Sequence, residues 1–122
     1  MSSFIKGIEQ AFTAGEDLSA KQYHFVKFGS SDTEVVACGD GESAIGVLMN
    51  APASGEDAVV VIEGGALLKT SGIVARGALV ACDADGQGDA GTSGDPSIAK
   101  AFATSAAGDV IHVRIGLDAA IA

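Results

Sequence analysis

Asp83, Asp85 and Asp89 are the residues of this sequence best spaced for chemistry, because a hard cation takes several oxygen ligands from a tightly turned backbone. The match to a calcium loop is nevertheless poor. Gln87 stands at the fifth position, Gly94 stands where a bidentate Glu belongs, and no helical pattern flanks the stretch, so residues 83–95 read as a polar, mobile hairpin loop without a metal. Two carboxylate pairs, Glu16-Asp17 and Glu56-Asp57, fall in turn corners, where water keeps both groups ordinary acids and denies them the divergent pKa values that acid–base catalysis requires. Neither His24 nor His112 has a Ser or Cys neighbour in a nucleophile motif. The glycines of Gly39-Asp40-Gly41 and Gly86-Gln87-Gly88 do not make the strand, GxGxxG and helix arrangement of a dinucleotide site. No catalytic residue, cofactor or metal is expected, and the chain does not read as an enzyme. Cys38 and Cys82 each sit in or beside a strand pattern and read as small buried apolar residues in a reducing compartment, with a disulfide as the minor reading; two thiols alone do not make a four-ligand zinc site.

The elements that carry these residues are short strands. Residues 44–68 are organised as an apolar run, a Pro/Gly/Ser corner at 51–57 and a β-branched run at 58–63 closed by Gly64-Gly65. The same grammar returns at 98–117: Ile45, Ala53, Gly55, Val60 and Ile62 fall on Ile98, Ala106, Gly108, Val113 and Ile115, each displaced by 53 residues. Further strands are expected within 18–28, 33–38, 66–70, 73–75, 77–82 and 110–117. The last alternates cleanly, with Ile111, Val113, Ile115 and Leu117 on one face and Val110, His112 and Arg114 on the other. The fold class is therefore all-β, a small β-barrel or β-sandwich of short strands. Residues 14–122 form a single β-domain, preceded by an N-terminal arm over residues 1–13. In that arm Phe4, Ile8 and Phe12 are spaced four apart, which gives one face of a short helix, whereas Gly7 favours an extended segment. The arm, extended or partly helical, needs a surface to pack on, either its own domain or another chain.

Composition narrows the partners. A chain of 122 residues is one domain, and 48% hydrophobic residues with 5% aromatics and no Trp imply a core of Ala, Val, Ile and Leu. Sixteen acidic residues against seven basic ones give a net charge of −9 with no Lys/Arg run, so nucleic acid is not an expected partner. No apolar run reaches the length of about 18 residues that a membrane helix needs. No cationic segment leads into a long apolar one either, so synthesis and folding in a cytoplasm are expected.

Four blocks, AGEDLSAKQYHFVKF at 14–28, AIGVLMNAPASGEDAVVVIEGG at 44–65, GALVACDADG at 77–86 and AAGDVIHVRIGL at 106–117, together resemble the capsid cement, or decoration, proteins of tailed bacteriophages. The order and spacing of the blocks carry the resemblance, which covers most of residues 14–117. It implies a virion structural protein on the outer surface of an assembled capsid, bound to the major capsid protein as a homotrimer and stabilising the head without catalysis. The arm lies outside the matching part; from its apolar residues Phe4, Ile5, Ile8 and Phe12 are the candidate partner-binding residues. The alternative is a ligand- or polysaccharide-binding β-domain with a cation-dependent acidic loop at 83–95.

Overall fold

The computed structural model describes residues 7–121, and over them every regular element is a strand. In chain order these are β1 (Ile8–Ala14), β2 (Phe25–Phe28), β3 (Glu34–Ala37), β4 (Gly46–Leu48), β5 (Asp57–Lys69), β6 (Leu79–Cys82), β7 (Gly88–Asp89), β8 (Pro96–Ala101) and β9 (Val110–Ala120). They hydrogen-bond in the order β1-β3-β2-β4-β5-β9-β8-β6-β7, and β1 also pairs with β5. The extra pairing closes β1, β3, β2, β4 and β5 into a five-stranded barrel, which leaves those strands no open edge.

The second half repeats that ring. The end of β5 takes the place of β1, and β6, β7, β8 and β9 take the places of β2, β3, β4 and β5. Each pairing recurs with its sense: β2–β3, β2–β4 and β4–β5 are antiparallel, as are β6–β7, β6–β8 and β8–β9. Parallel β1–β3 is matched by a parallel bridge from Thr70 to Gly88, which closes the second ring. Register agrees too, since Val47 faces Val61 in one barrel and Lys100 faces Arg114, 53 residues on, in the other. The repeat expected from the sequence is thus a duplication of a whole barrel, with β5 belonging to both copies.

The corners explain how so acidic a chain holds these rings. Residues 39–42, 53–56, 92–95 and 106–109 form the same four-residue turn. Its fourth residue, Asp or Glu, accepts the first residue's N–H on its carboxylate at 2.7–2.9 Å. The fourth N–H donates to the first carbonyl at 2.9–3.1 Å. Glycine in the third position has φ between 67° and 92°, the left-handed value a type II turn demands, and its N–H reaches a carbonyl elsewhere in the barrel wall. Gly55 donates to Ala14 and Gly108 to Thr70, one bond per barrel at equivalent points. Each corner therefore uses its carboxylate to satisfy a backbone donor that would otherwise face solvent alone.

Two cores result. Phe12, Leu18, Val26, Val35, Leu48 and Val60 fill the first barrel. Leu68, Val74, Val80, Ala99, Ile111 and Val113 fill the second, whose core also takes in Phe25, Val47 and Val61 from the first barrel's strands. Each fully buried Leu or Val contributes about 1.5–3 kcal/mol relative to exposure, so the junction is held as firmly as either interior. Among the described residues no buried side-chain N or O atom lacks a partner; Ser97, for example, donates its Oγ to the Val80 carbonyl at 2.7 Å.

The structure departs from the sequence reading at three places. Residues 8–13 are not helical and not a separate arm: they are most of β1, which closes the first barrel, and the boundary at 13/14 falls inside the strand. A spacing of four is even, so it suits one face of a strand as well as one face of a helix. Secondly, β5 does not stop at Gly64-Gly65 but runs through them to Lys69. Val61 and Ala66 are an odd number of residues apart yet lie in the same core, so the strand changes the face it presents between them. Gly64, with φ 92°, sits at that change, 2.8 Å in Cβ reach from the Gly7 Cα. Thirdly, the polar stretch 83–95 contains β7 and the 92–95 corner rather than a free loop.

Replacing Gly64 with Ala should cost about 2–3 kcal/mol by urea unfolding, since a Cβ there meets both a left-handed φ and the Gly7 backbone. Gly72→Ala, in open space without a positive φ, should stay within about 0.5 kcal/mol of the parent. Equal costs at the two sites would refute the role given to Gly64.

Candidate functional site

The strand pair β8–β9 and the end of β5 bring scattered residues into one outward face. Alternation turns Ile111, Val113 and Ile115 into the core and leaves Val110, His112 and Arg114 outside. Their neighbours across the sheet are set by register: Lys69 beside Val110, Leu67 beside His112, and Gly65 beside Arg114. On the other side Lys100 faces Arg114, and the Phe102 N–H donates to the His112 carbonyl at 2.9 Å. The Phe102 ring meets the His112 ring edge-on at 5.2 Å, which holds a half-exposed aromatic upright on the sheet.

This face stands out electrostatically. Ten of the chain's sixteen acidic residues precede Ala66, and the face carries three of its seven basic ones, Lys69, Lys100 and Arg114, with no Asp or Glu in the same rows. Lys100 and Arg114 are exposed, directly opposed and in no ion pair within the described chain, an arrangement that lowers sheet stability. Two of the large exposed hydrophobic residues, Val110 and Phe102, border them. The equivalent positions in the first barrel are Val47 and Val61, both fully buried because the second barrel's core packs on them. The same face is thus a covered junction in one barrel and an open basic surface in the other.

Of the residues expected to bind a partner, Phe4 and Ile5 lie outside the described residues. Ile8 is 60% exposed on β1, while Phe12 is buried in the first core with its ring edge-on to Phe28 at 6.1 Å. A register shift between Ile8 and Glu9 separates the two faces. Ile8 is therefore available to a partner and Phe12 is committed to the barrel. The basic face escaped sequence reading because Lys69, Lys100 and Arg114 are far apart in the chain; the one available signal was the period-two outer set Val110, His112 and Arg114.

Two of the three loop aspartates accept backbone hydrogen bonds. Asp83 Oδ1 accepts the Asp85 and Gln87 N–H groups, both at 2.9 Å, and Asp89 Oδ1 accepts that of Gly91 at 2.8 Å. Among the described residues no group of three or more His, Cys, Asp or Glu side chains is placed to hold a metal ion. Burial raises the Asp89 carboxyl above the usual range. An apolar hollow of about 260 Å³ at one end of the second barrel is walled by Val74, Ala75, Ala78, Leu79, Ala90 and Ile121, none of them titratable. His24 is buried just ahead of β2, with Nδ1–H donating to the Gln22 carbonyl at 2.9 Å. Desolvation pushes its pKa down, and nearby Lys21 and Lys69 act in the same direction.

No protein-family profile matches the chain, and no curated protein matches it. Among solved structures it is similar to the N base of the head fibre gp8.5 in bacteriophage phi29, with a TM-score of 0.72 at 11% sequence identity. The match covers 88% of this chain and 92% of that one, so the two share a fold along nearly their whole lengths.

Two measurements bear on the site. Lys100→Glu creates an opposite-charge pair with Arg114 and should raise the stability of the isolated chain by about 0.2–1 kcal/mol, read from the urea midpoint. No gain would mean that the two cations do not oppose each other. For His24 the folded state disfavours the proton, so its contribution is intact above the unfolded pKa of about 6.5 and is lost as pH falls below it. The parent's melting temperature should drop more between pH 7.5 and pH 5.5, roughly the window in which histidine titrates, than that of His24→Gln; parallel curves would show that the histidine is not buried neutral.

Proposed function

We propose that this chain is a structural virion protein that binds the outer surface of an assembled phage head as a trimer and stabilises the shell without catalysis. The single observation that carries the reading is the fold shared with a phage head fibre base over nearly both whole chains. The cement-protein resemblance of the four sequence blocks, found independently of the fold, agrees with it.

Attachment uses the basic and aromatic face of β8, β9 and the end of β5. Among the described residues Lys100 and Arg114 are cations in no ion pair, on an acidic chain, and Phe102 and Val110 supply apolar contact beside them. An acidic patch on the major capsid protein satisfies both, since it neutralises the opposed cations and covers the aromatic edge. Ile8, at the start of the other barrel, is the second point of contact, toward a neighbouring copy. Cementing then follows from linkage: a protein that binds assembled shell and not free subunits stabilises assembly by mass action, and three linked copies multiply the effect through avidity.

The test is reconstitution on heads that lack the protein. The parent should cosediment with heads at saturable occupancy and protect them from heat or chelator, while light scattering gives three chains per particle. Lys100→Glu combined with Arg114→Glu should keep the far-ultraviolet spectrum and lower head affinity by roughly 10-fold or more, as expected when interface charges are reversed. Undiminished binding by that variant would move the attachment site elsewhere, and a parent that binds no head and remains monomeric would end the virion reading.

A further inference from the structure

Six four-residue turns share one geometry: the fourth N–H donates to the first carbonyl at 2.9–3.1 Å, and the third residue has positive φ and donates its own N–H to a carbonyl of the barrel wall. Four of them are the acidic corners. The other two, residues 21–24 and 75–78, are equivalent points of the two barrels: the Tyr23 N–H reaches the Leu48 carbonyl, and that of Gly77 reaches Ala101, 53 residues further on. Five of the six turns place glycine third. The sixth places Tyr23, the chain's single tyrosine and, among the described residues, its one non-glycine residue with positive φ, at 66°. In this conformation a Cβ crowds the neighbouring carbonyl oxygen, a strain that glycine escapes. Gly77, with open space where a Cβ would stand, shows that the turn itself asks for no side chain.

The turn fixes the strained residue through its neighbours. Lys21 Nζ donates to the Asp85 carbonyl at 3.0 Å, Gln22 Nε2 donates to the Met49 carbonyl at 3.1 Å, and His24 is buried with its Nδ1–H on the Gln22 carbonyl. Tyr23 is only partly buried, and among the described residues its side chain makes no hydrogen bond and no ring contact. Strain held in place by such over-determined surroundings is characteristic of positions kept for a function. The Tyr23 carbonyl accepts the Lys69 N–H at 2.8 Å, and Lys69 stands beside Val110, so the turn borders the basic face at that end.

We propose that Tyr23 is a partner-binding residue kept for its side chain, an aromatic anchor at the edge of the basic face that contacts the same acidic patch of the major capsid protein. The inference rests on the head-binding reading above. The ring supplies apolar area next to the cationic face, and the phenolic O–H donates to a carboxylate of the patch. A tyrosine has few rotamers to lose, and a backbone already locked by the turn lowers the ordering cost of contact further.

The experiment takes three variants of the full chain, each read for its melting temperature alone and for binding to heads that lack the protein. Tyr23→Gly removes both ring and strain, so the melting temperature should rise by roughly 3–6 °C while head affinity falls by about 10-fold or more. Tyr23→Ala removes the ring and keeps the strain; it should melt within about 2 °C of the parent and lose as much affinity. Tyr23→Phe keeps both and should retain most of the affinity at the parent's melting temperature. A lower melting temperature for Tyr23→Gly would make Tyr23 a residue of the fold and overturn the proposal. Undiminished head binding by the Gly and Ala variants, with the parent bound, would overturn it and leave the virion reading standing; a parent that binds no head would overturn both.

Discussion

The structure depends on one strand serving two barrels. β5 hydrogen-bonds with β1 and β4 along its first half and with β9 along its second, so neither ring closes without it. A 13-residue strand that did not change face would send its second half's inward side chains away from the shared core. The left-handed Gly64 is what permits the change, and the backbone of Gly7 occupies the space its missing Cβ leaves. Everything else follows from this constraint: the barrels cannot rotate about a linker, because there is no linker. Val47 and Val61 are buried as a consequence of it.

Duplication also accounts for the polarity of the free face. In stacked repeats each unit covers the one before it, and the last must present a surface tolerable in water. Here the substitution is position for position, with Val47 and Val61 replaced by Lys100 and Arg114. Capping alone would be met by any polar pair, and an opposite-charge pair would be the stable choice. Two opposed cations on a chain of net charge −9 are what the proposed anionic partner would neutralise. Keeping stability below its local optimum is characteristic of surfaces retained for binding.

Much of this was legible in the sequence where local chemistry decides the structure. The 53-residue repeat is visible in Ala53, Gly55, Ala106 and Gly108 because the corner requires a glycine at its third position and a carboxylate at its fourth. The alternation of β9 was legible for the same reason, one face being core. Gly64-Gly65 misled because a glycine pair inside a strand resembles one that ends it; only the closed ring on either side distinguishes them. β1 was illegible since Ile8 and Phe12 share parity in sequence while a register shift turns them to different environments. The Lys100–Arg114 opposition depends on a pairing between distant segments, which no local pattern encodes.

Under the proposed role on a phage shell, this architecture has a mechanical meaning. A binder reinforces a lattice only if strain in the lattice is transmitted through it, and a hinge between two barrels would absorb that strain instead. With β5 continuous and the junction packed by Phe25, Val47 and Val61, displacement at one end of the molecule must move the other or break core contacts. Ile8, at the start of β1 in the first barrel, and Arg114 in the second are thereby parts of one rigid body. Contacts made at the two places on different subunits would then add as avidity rather than as independent weak encounters, because a rigid connection keeps the second site in reach once the first is engaged. The small Ala- and Val-rich cores need no large aromatic anchors to achieve this; closed rings and satisfied corners supply the stiffness that volume does not.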